Sequence, residues 1–221
     1  MKYFLLFFII FCSAFLFAQE KYININGTSE LILRADQINF TVQIKVINDS
    51  VEGAKKNSDK YLDQLLQILK ETGINKDDID VSPIILGKNY EYSAGERKQN
   101  GYYTQLNITF LLKDLSKYYE LTDKLASSDN FEILNSSYDI SDYEAENKKA
   151  YENALTAARE KAGYMCRTLG MTLGDVLEID ETGTPGYPVP LNTLSKENPS
   201  EENPFGKVTI RRTVRVKFSI K

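Results

Sequence analysis

One run constrains this chain more than any other. Between Ser141-Asp142 and Leu169, alanine recurs at Ala145, Ala150, Ala154, Ala157, Ala158 and Ala162, and Gly170 follows. Alanine has the highest intrinsic helix propensity, and its single methyl lets a neighbouring helix or sheet approach closely. The run predicts a long helix stopped by Gly170. A second long helix is expected from an N-cap at Ser50 to about Thr72. Val51, Ala54, Tyr61, Leu62, Leu65, Ile68 and Leu69 fall on one stripe, no proline interrupts it, and Gly73 ends it. A shorter helix is expected from about Ser116 to Ala126.

The remaining segments alternate with period two, the mark of half-buried strands. Tyr22 to Asn48 reads as strand, turn, strand, with Ile38, Phe40, Val42, Ile44 and Val46 on one face. A strand through Ile84-Ile85-Leu86 to Tyr92 and another from Tyr102 to Leu112 form a long hairpin around the polar turn Ser93–Gly101. Short strands follow at Phe131–Leu134 and Val176–Ile179. The last strand, Lys207 to Ile220, sets Val208, Ile210, Val214, Val216, Phe218 and Ile220 on one face, and Lys207, Arg211, Arg215 and Lys217 on the other. Arg212 breaks that pattern, which points to a bulge, a sheet edge or a buried ion pair. The order β-β-α-β-β-α-β-α-β-β gives an α+β fold: a mainly antiparallel sheet with two long helices and one shorter helix packed on it.

The chain opens with Met1-Lys2-Tyr3 and an apolar run through Phe17, and polar sequence begins at Gln19-Glu20-Lys21. One basic residue, a short apolar stretch and Ala18 before the junction predict a secretory signal, residues 1–18, cleaved near Ala18-Gln19. An uncleaved anchor fits less well, because roughly 15 apolar residues fall short of the ~20 a spanning helix needs. Bulky Phe11 argues against lipidation at Cys12. No second apolar segment follows, so the domain at 19–221 is expected to be soluble and periplasmic. Losing Lys2 shifts the net charge from −4 to −5, an acidity that argues against a nucleic-acid partner. Cys166 is then the one thiol left, which rules out an intramolecular disulfide and is most simply read as a small buried apolar residue.

Catalytic chemistry has little to build on. The chain contains no histidine, which removes Ser-His and Cys-His catalysis and the commonest metal ligand. Carboxylates and one cysteine make a poor set for zinc or copper. Gly170-x-x-x-Gly174 lacks the Lys-Ser/Thr of a phosphate loop. No catalytic residue, cofactor or metal is expected. Three acidic clusters (Asp77, Asp78, Asp80; Asp139, Asp142, Glu144, Glu146; Glu178, Asp180, Glu181) read as solvated surface or capping. The basic face of the last strand is either a surface for anionic lipid or an acidic partner, or an ordinary solvated face. Tyr90, Tyr92, Tyr102 and Tyr103 crowd the hairpin tip, as a contact surface or as ordinary strand tyrosines. The proline-bearing loop 182–206 is unusually long.

Taken in order, several pieces resemble the SIMPL-domain family of exported bacterial proteins. They are Ile23-Asn24-Ile25-Asn26-Gly27-Thr28-Ser29-Glu30 with Ala35-Asp36-Gln37-Ile38, and a long helix closed by Thr72-Gly73-Ile74 before Lys76-Asp77-Asp78-Ile79. Tyr90-Glu91-Tyr92 and Gly101-Tyr102 follow in the hairpin. The most specific stretch is Lys149-Ala150, Ala154, Ala157-Ala158-Arg159-Glu160-Lys161-Ala162, Leu169-Gly170 and Leu173-Gly174-Asp175-Val176. The resemblance implies a periplasmic or envelope-associated protein without established enzymatic activity, associated with oxidative or envelope stress defence and forming homo-oligomers, some of them ring- or channel-like. Association with the outer membrane is open. A periplasmic binding module for a ligand or peptide, using the hairpin 90–103 and the loop 182–206 as its mouth, is the alternative.

Overall fold

The computed structural model describes residues 21–93, 95–182, 189–191 and 206–221. The strands are β1 (Tyr22–Arg34), β2 (Gln37–Asn48), β3 (Ile79–Val81), β4 (Ile85–Ser93), β5 (Glu96–Leu112), β6 (Phe131–Asp139), β7 (Leu173–Glu181), β8 (Val189–Leu191) and β9 (Lys207–Ile220). The helices are α1 (Val51–Glu71), α2 (Tyr118–Ala126) and α3 (Tyr143–Thr168), with single 3₁₀ turns at Lys76–Asp78 and Leu115–Lys117. The fold is α+β with antiparallel strand pairs, as expected, but the strands form two sheets rather than one. The described residues divide into two compact units: 31–146 with 189–191 and 206–210, and 21–30 with 147–182 and 211–221.

The larger unit holds a sheet of order β3-β5-β2-β6, with β4 also paired to β5. Alternation along β2 and β5 puts Ile38, Phe40, Val42, Ile44, Leu106, Ile108, Phe110 and Leu112 on one face, where they pack with Leu65 and Leu69 of α1 and Leu121 and Leu125 of α2. Phe40 stands opposite Phe110 in the register, and their rings stack at 5.3 Å. Burying each such side chain contributes about 1.5–3 kcal/mol. The other face of the sheet is polar: Thr41 lies 3.5 Å from Thr109 through their hydroxyls, and Gln43 Nε2 donates to Asn107 Oδ1 at 3.3 Å.

Helix α1 starts and stops where its sequence says. Ser50 Oγ accepts from the Gly53 N–H at 3.0 Å, occupying one of the first turn's free donors. At the other end Gly73 adopts φ +84°, and the N–H groups of Gly73 and Ile74 donate to the carbonyls of Lys70 and Leu69, a Schellman closure. Lys117 Nζ donates to the Thr72 carbonyl at 2.8 Å, placing a cation at the negative helix end. One internal position is imperfect. The Ser58 hydroxyl is fully buried without a hydrogen-bond partner, and the Ala54 carbonyl one turn back already accepts from Thr104 Oγ1. Ser58→Ala removes an unsatisfied group and improves helix propensity. It is expected to stabilise the protein by about 1 kcal/mol, read as a higher urea midpoint at unchanged m-value.

In the smaller unit α3 lies on a sheet of order β1-β9-β7. Its buried residues recur every four positions: Ala150, Ala154, Ala158, Ala162 and Cys166. Ala154, Ala158 and Ala162 pack with Ile25 of β1 and Val214, Val216 and Phe218 of β9. A Cβ added at Gly27 would stand 2.0 Å from the Ala154 carbonyl oxygen. The alanine stripe and this glycine thus bring helix and strand backbones into direct contact. Arg212 lies among the inward residues of β9 and is 6% exposed. Its Nε donates to Asn147 Oδ1 at 2.6 Å, and its guanidinium sits 5.3 Å from the Tyr151 ring centre. The irregularity at Arg212 is therefore a buried, hydrogen-bonded arginine.

Candidate interaction surface

The β4–β5 hairpin extends further than the sequence suggests. Residues 93–101, read as a polar turn, are mostly strand: β4 runs to Ser93 and β5 starts at Glu96, with Gly95 in the connection at φ +85°. β2 pairs with β5 only as far as Asn48↔Tyr102. Beyond that point, among the described residues, Glu96–Gly101 pairs only with β4, so the hairpin ends as a two-stranded arm. Where the arm begins, Gly101 has φ +79°, and a Cβ there would lie 2.4 Å from the Asn48 carbonyl oxygen. Both the dihedral and the close approach call for glycine.

The arm brings two of the four tyrosines together. Tyr90 and Tyr92, two residues apart, face Gln99 and Arg97 across the ribbon. They are 38% and 73% exposed. The Arg97 guanidinium lies 3.7 Å from the Tyr90 ring centre, a cation–π contact that orders an otherwise solvated side chain. Asn100 Nδ2 donates to Glu91 Oε2, and Asn89 Nδ2 donates to the Asn100 carbonyl, both at 3.1 Å. Tyr102 and Tyr103 are adjacent and point to opposite faces. Tyr103 packs over Gly87, where a Cβ would meet its ring at 2.6 Å, and Lys45 Nζ lies 5.8 Å from its centre. Tyr90, Tyr92 and Arg97 thus form one exposed group on the arm, while Tyr103 is a packed strand residue.

The other singled-out side chains are mostly engaged in the fold. Asp78 pairs with Lys113 at 2.7 Å, Asp139 accepts from Gln37 Nε2 at 2.9 Å, and the Glu181 carboxylate accepts from the Tyr151 hydroxyl. On the basic face of β9, Arg211 meets Glu30 at 2.9 Å, while Lys217 lies 3.9 Å from Glu178 and over the Tyr22 ring. These pairings depend on strand register and had no signal in the sequence. Cys166 is a buried free thiol. Among the described residues no cluster of three or more His, Cys, Asp or Glu could hold a metal ion. A shallow groove of about 450 Å³ in the larger unit is lined by residues including Asp63, Gln67, Glu71, Lys124 and Phe131. Lys124 donates to Glu120 at 2.9 Å, and that bond raises the lysine pKa and lowers the glutamate pKa. No helix among the described residues is long and apolar enough to cross a membrane. The signal read at 1–18 lies outside the described residues, as does most of the loop 182–206.

The sequence profile of SIMPL, described as a protein of unknown function (DUF541), matches residues 23–218. The chain belongs to this family. The "Uncharacterized protein YggE" of Edwardsiella ictaluri is 24% identical over 155 residues, 70% of this chain and 65% of the relative. The "Interleukin-1 receptor-associated kinase 1-binding protein 1 homolog" of Xenopus laevis is 24% identical over 163 residues, 72% of this chain and 62% of the relative. The human protein of that name is 25% identical over 166 residues, 73% of this chain and 60% of the relative. The chain thus spans less than two thirds of the length of these curated relatives.

Proposed function

We propose that this chain is a non-enzymatic protein of the bacterial periplasm or envelope that works as a homo-oligomer and supports resistance to oxidative or envelope stress. The export reading rests on the apolar run before Gln19, and the stress role rests on the family resemblance. The observation that carries the assembly reading is the two-stranded arm. An isolated two-stranded ribbon is marginal in water, and this one ends in exposed Tyr90 and Tyr92, with Arg97 stacked on Tyr90. Tyrosine and arginine are the residue types that dominate contact energies. The double substitution Tyr90→Ser/Tyr92→Ser leaves both cores untouched, so it is expected to lower the mass in solution without lowering the unfolding midpoint. An unchanged mass would remove the arm from the assembly. Survival of a deletion strain under peroxide, with and without the gene restored, tests the stress role.

A second reading is a protein-binding module, and the names of the vertebrate relatives favour it. It predicts saturable thermal stabilisation by one class of peptide, and silence across peptides of every class would count against it.

A further inference from the structure

β7 is the outer strand of its sheet. Among the described residues its one strand partner is β9, and every residue from Asp175 to Glu181 is exposed. Helix α3 packs on β1 and β9 and reaches this part of β7 through the Tyr151–Glu181 hydrogen bond, leaving Val176 and Ile179 exposed. Val176 and Ile179 stand opposite buried Phe218 and Val216, yet they are 50% and 57% exposed. Such an edge is a template for another strand, and its charged side chains, prolines and bulges limit what can pair with it. Both register shifts in β7 fall before Glu178, and the strand LGDVLEIDE contains neither lysine, arginine nor proline. All its charges are negative: Asp175, Glu178, Asp180 and Glu181. Glu178 and Asp180 face Lys217 and Arg215 of β9 on one side of the strand, and among the described residues no strand pairs with the side away from β9.

We propose that β7 receives an extended basic segment of a partner protein as an added strand. Apolar residues of that segment would cover Val176 and Ile179, and alternating lysines or arginines would meet Glu178 and Asp180 from the open side. Alternation follows from strand geometry, which sends successive side chains to opposite faces. The row across the sheet would then read cation, carboxylate, cation, the favourable order for cross-strand neighbours. Among the described residues no free edge of this chain matches, which argues against a second copy as the occupant. Another β7 would oppose carboxylate with carboxylate, and β3 and β6 are acidic. β1 and β4 carry one charge of each sign, β8 carries none, and the arm's Glu96–Gly101 has no apolar side chain. The inference goes beyond the assembly reading and does not depend on it.

The test is fluorescence anisotropy of the chain from Gln19 to Lys221 with a labelled peptide of about ten residues alternating valine with lysine or arginine, long enough to span β7. Saturable binding is expected. A peptide of the same sequence N-methylated at every backbone amide is expected to bind at least about tenfold more weakly, because it has no N–H to donate to a strand edge. Glu178→Lys/Asp180→Lys is expected to weaken the valine peptide by a similar factor, and the isosteric pair Glu178→Gln/Asp180→Asn gives the same readout should charge reversal impair folding. Absence of saturable binding, equal binding of the two peptides, or indifference to both variant pairs would each overturn the proposal.

Discussion

Gly27→Val is expected to lower the unfolding free energy by about 3 kcal/mol or more, the upper end of what overpacking costs. The obstacle is backbone. The added Cβ would stand 2.0 Å from the Ala154 carbonyl oxygen and 2.7 Å from both the nitrogen and Cβ of Ala158. No rotamer of any side chain relieves a contact with a carbonyl, so α3 must retreat from β1. A retreat of even 0.5–1 Å forfeits roughly a quarter to a half of each dispersion contact it opens, along the interface of Ala154, Ala158 and Ala162 with Ile25 and Phe218. Two comparisons separate this mechanism from a general cost of removing glycine. Ala158→Gly in the Gly27→Val background restores little, because the Ala154 oxygen remains. Gly170→Ala, where φ is +70° but nothing lies within 4 Å of the new carbon, costs only about 1 kcal/mol. Urea titration followed by far-ultraviolet circular dichroism gives all three values.

Phe40→Ala is expected to cost about 3–5 kcal/mol. Phe40 is fully buried at the centre of the larger unit's core. It stacks on Phe110 at 5.3 Å and lies 6.0 Å from the Tyr118 ring. Truncation removes the transfer energy of the ring, leaves a cavity on the core face of the sheet, and loses an aromatic pair contributing about 0.5–1.5 kcal/mol beyond its area. The same urea titration measures it, and a loss below about 1 kcal/mol would mean that the core collapses around the gap.

Much of this fold is legible because its signals are local. Ser50 and Gly73 bracket α1, alternation defines β2, the second half of β5, and β9, and the alanine stripe announces the close-packed face of α3. Arg212 marked itself as an irregularity, and it is the buried, hydrogen-bonded arginine. The arm was not legible. Glu96–Gly101 pairs on one side only and buries almost nothing, so burial left no alternation in its sequence, and its charged and amide residues resemble a turn. Gly101 looks like a turn glycine, yet it is fixed by contact with Asn48, distant in sequence. The partner of the alanine stripe was equally hidden, since nothing around Gly27 says which helix will lie on it. Of the tyrosines, the separation of Tyr103 from Tyr90 and Tyr92 follows partly from alternation at 102 and 103. The Arg97 contact and the acidic edge of β7 required the register.

The most direct test of the assembly account is the mass in solution of the chain from Gln19 to Lys221, by light scattering behind a sizing column with reductant present. The account predicts a discrete species several times the monomer mass that persists on dilution. A monomer at every concentration would contradict it.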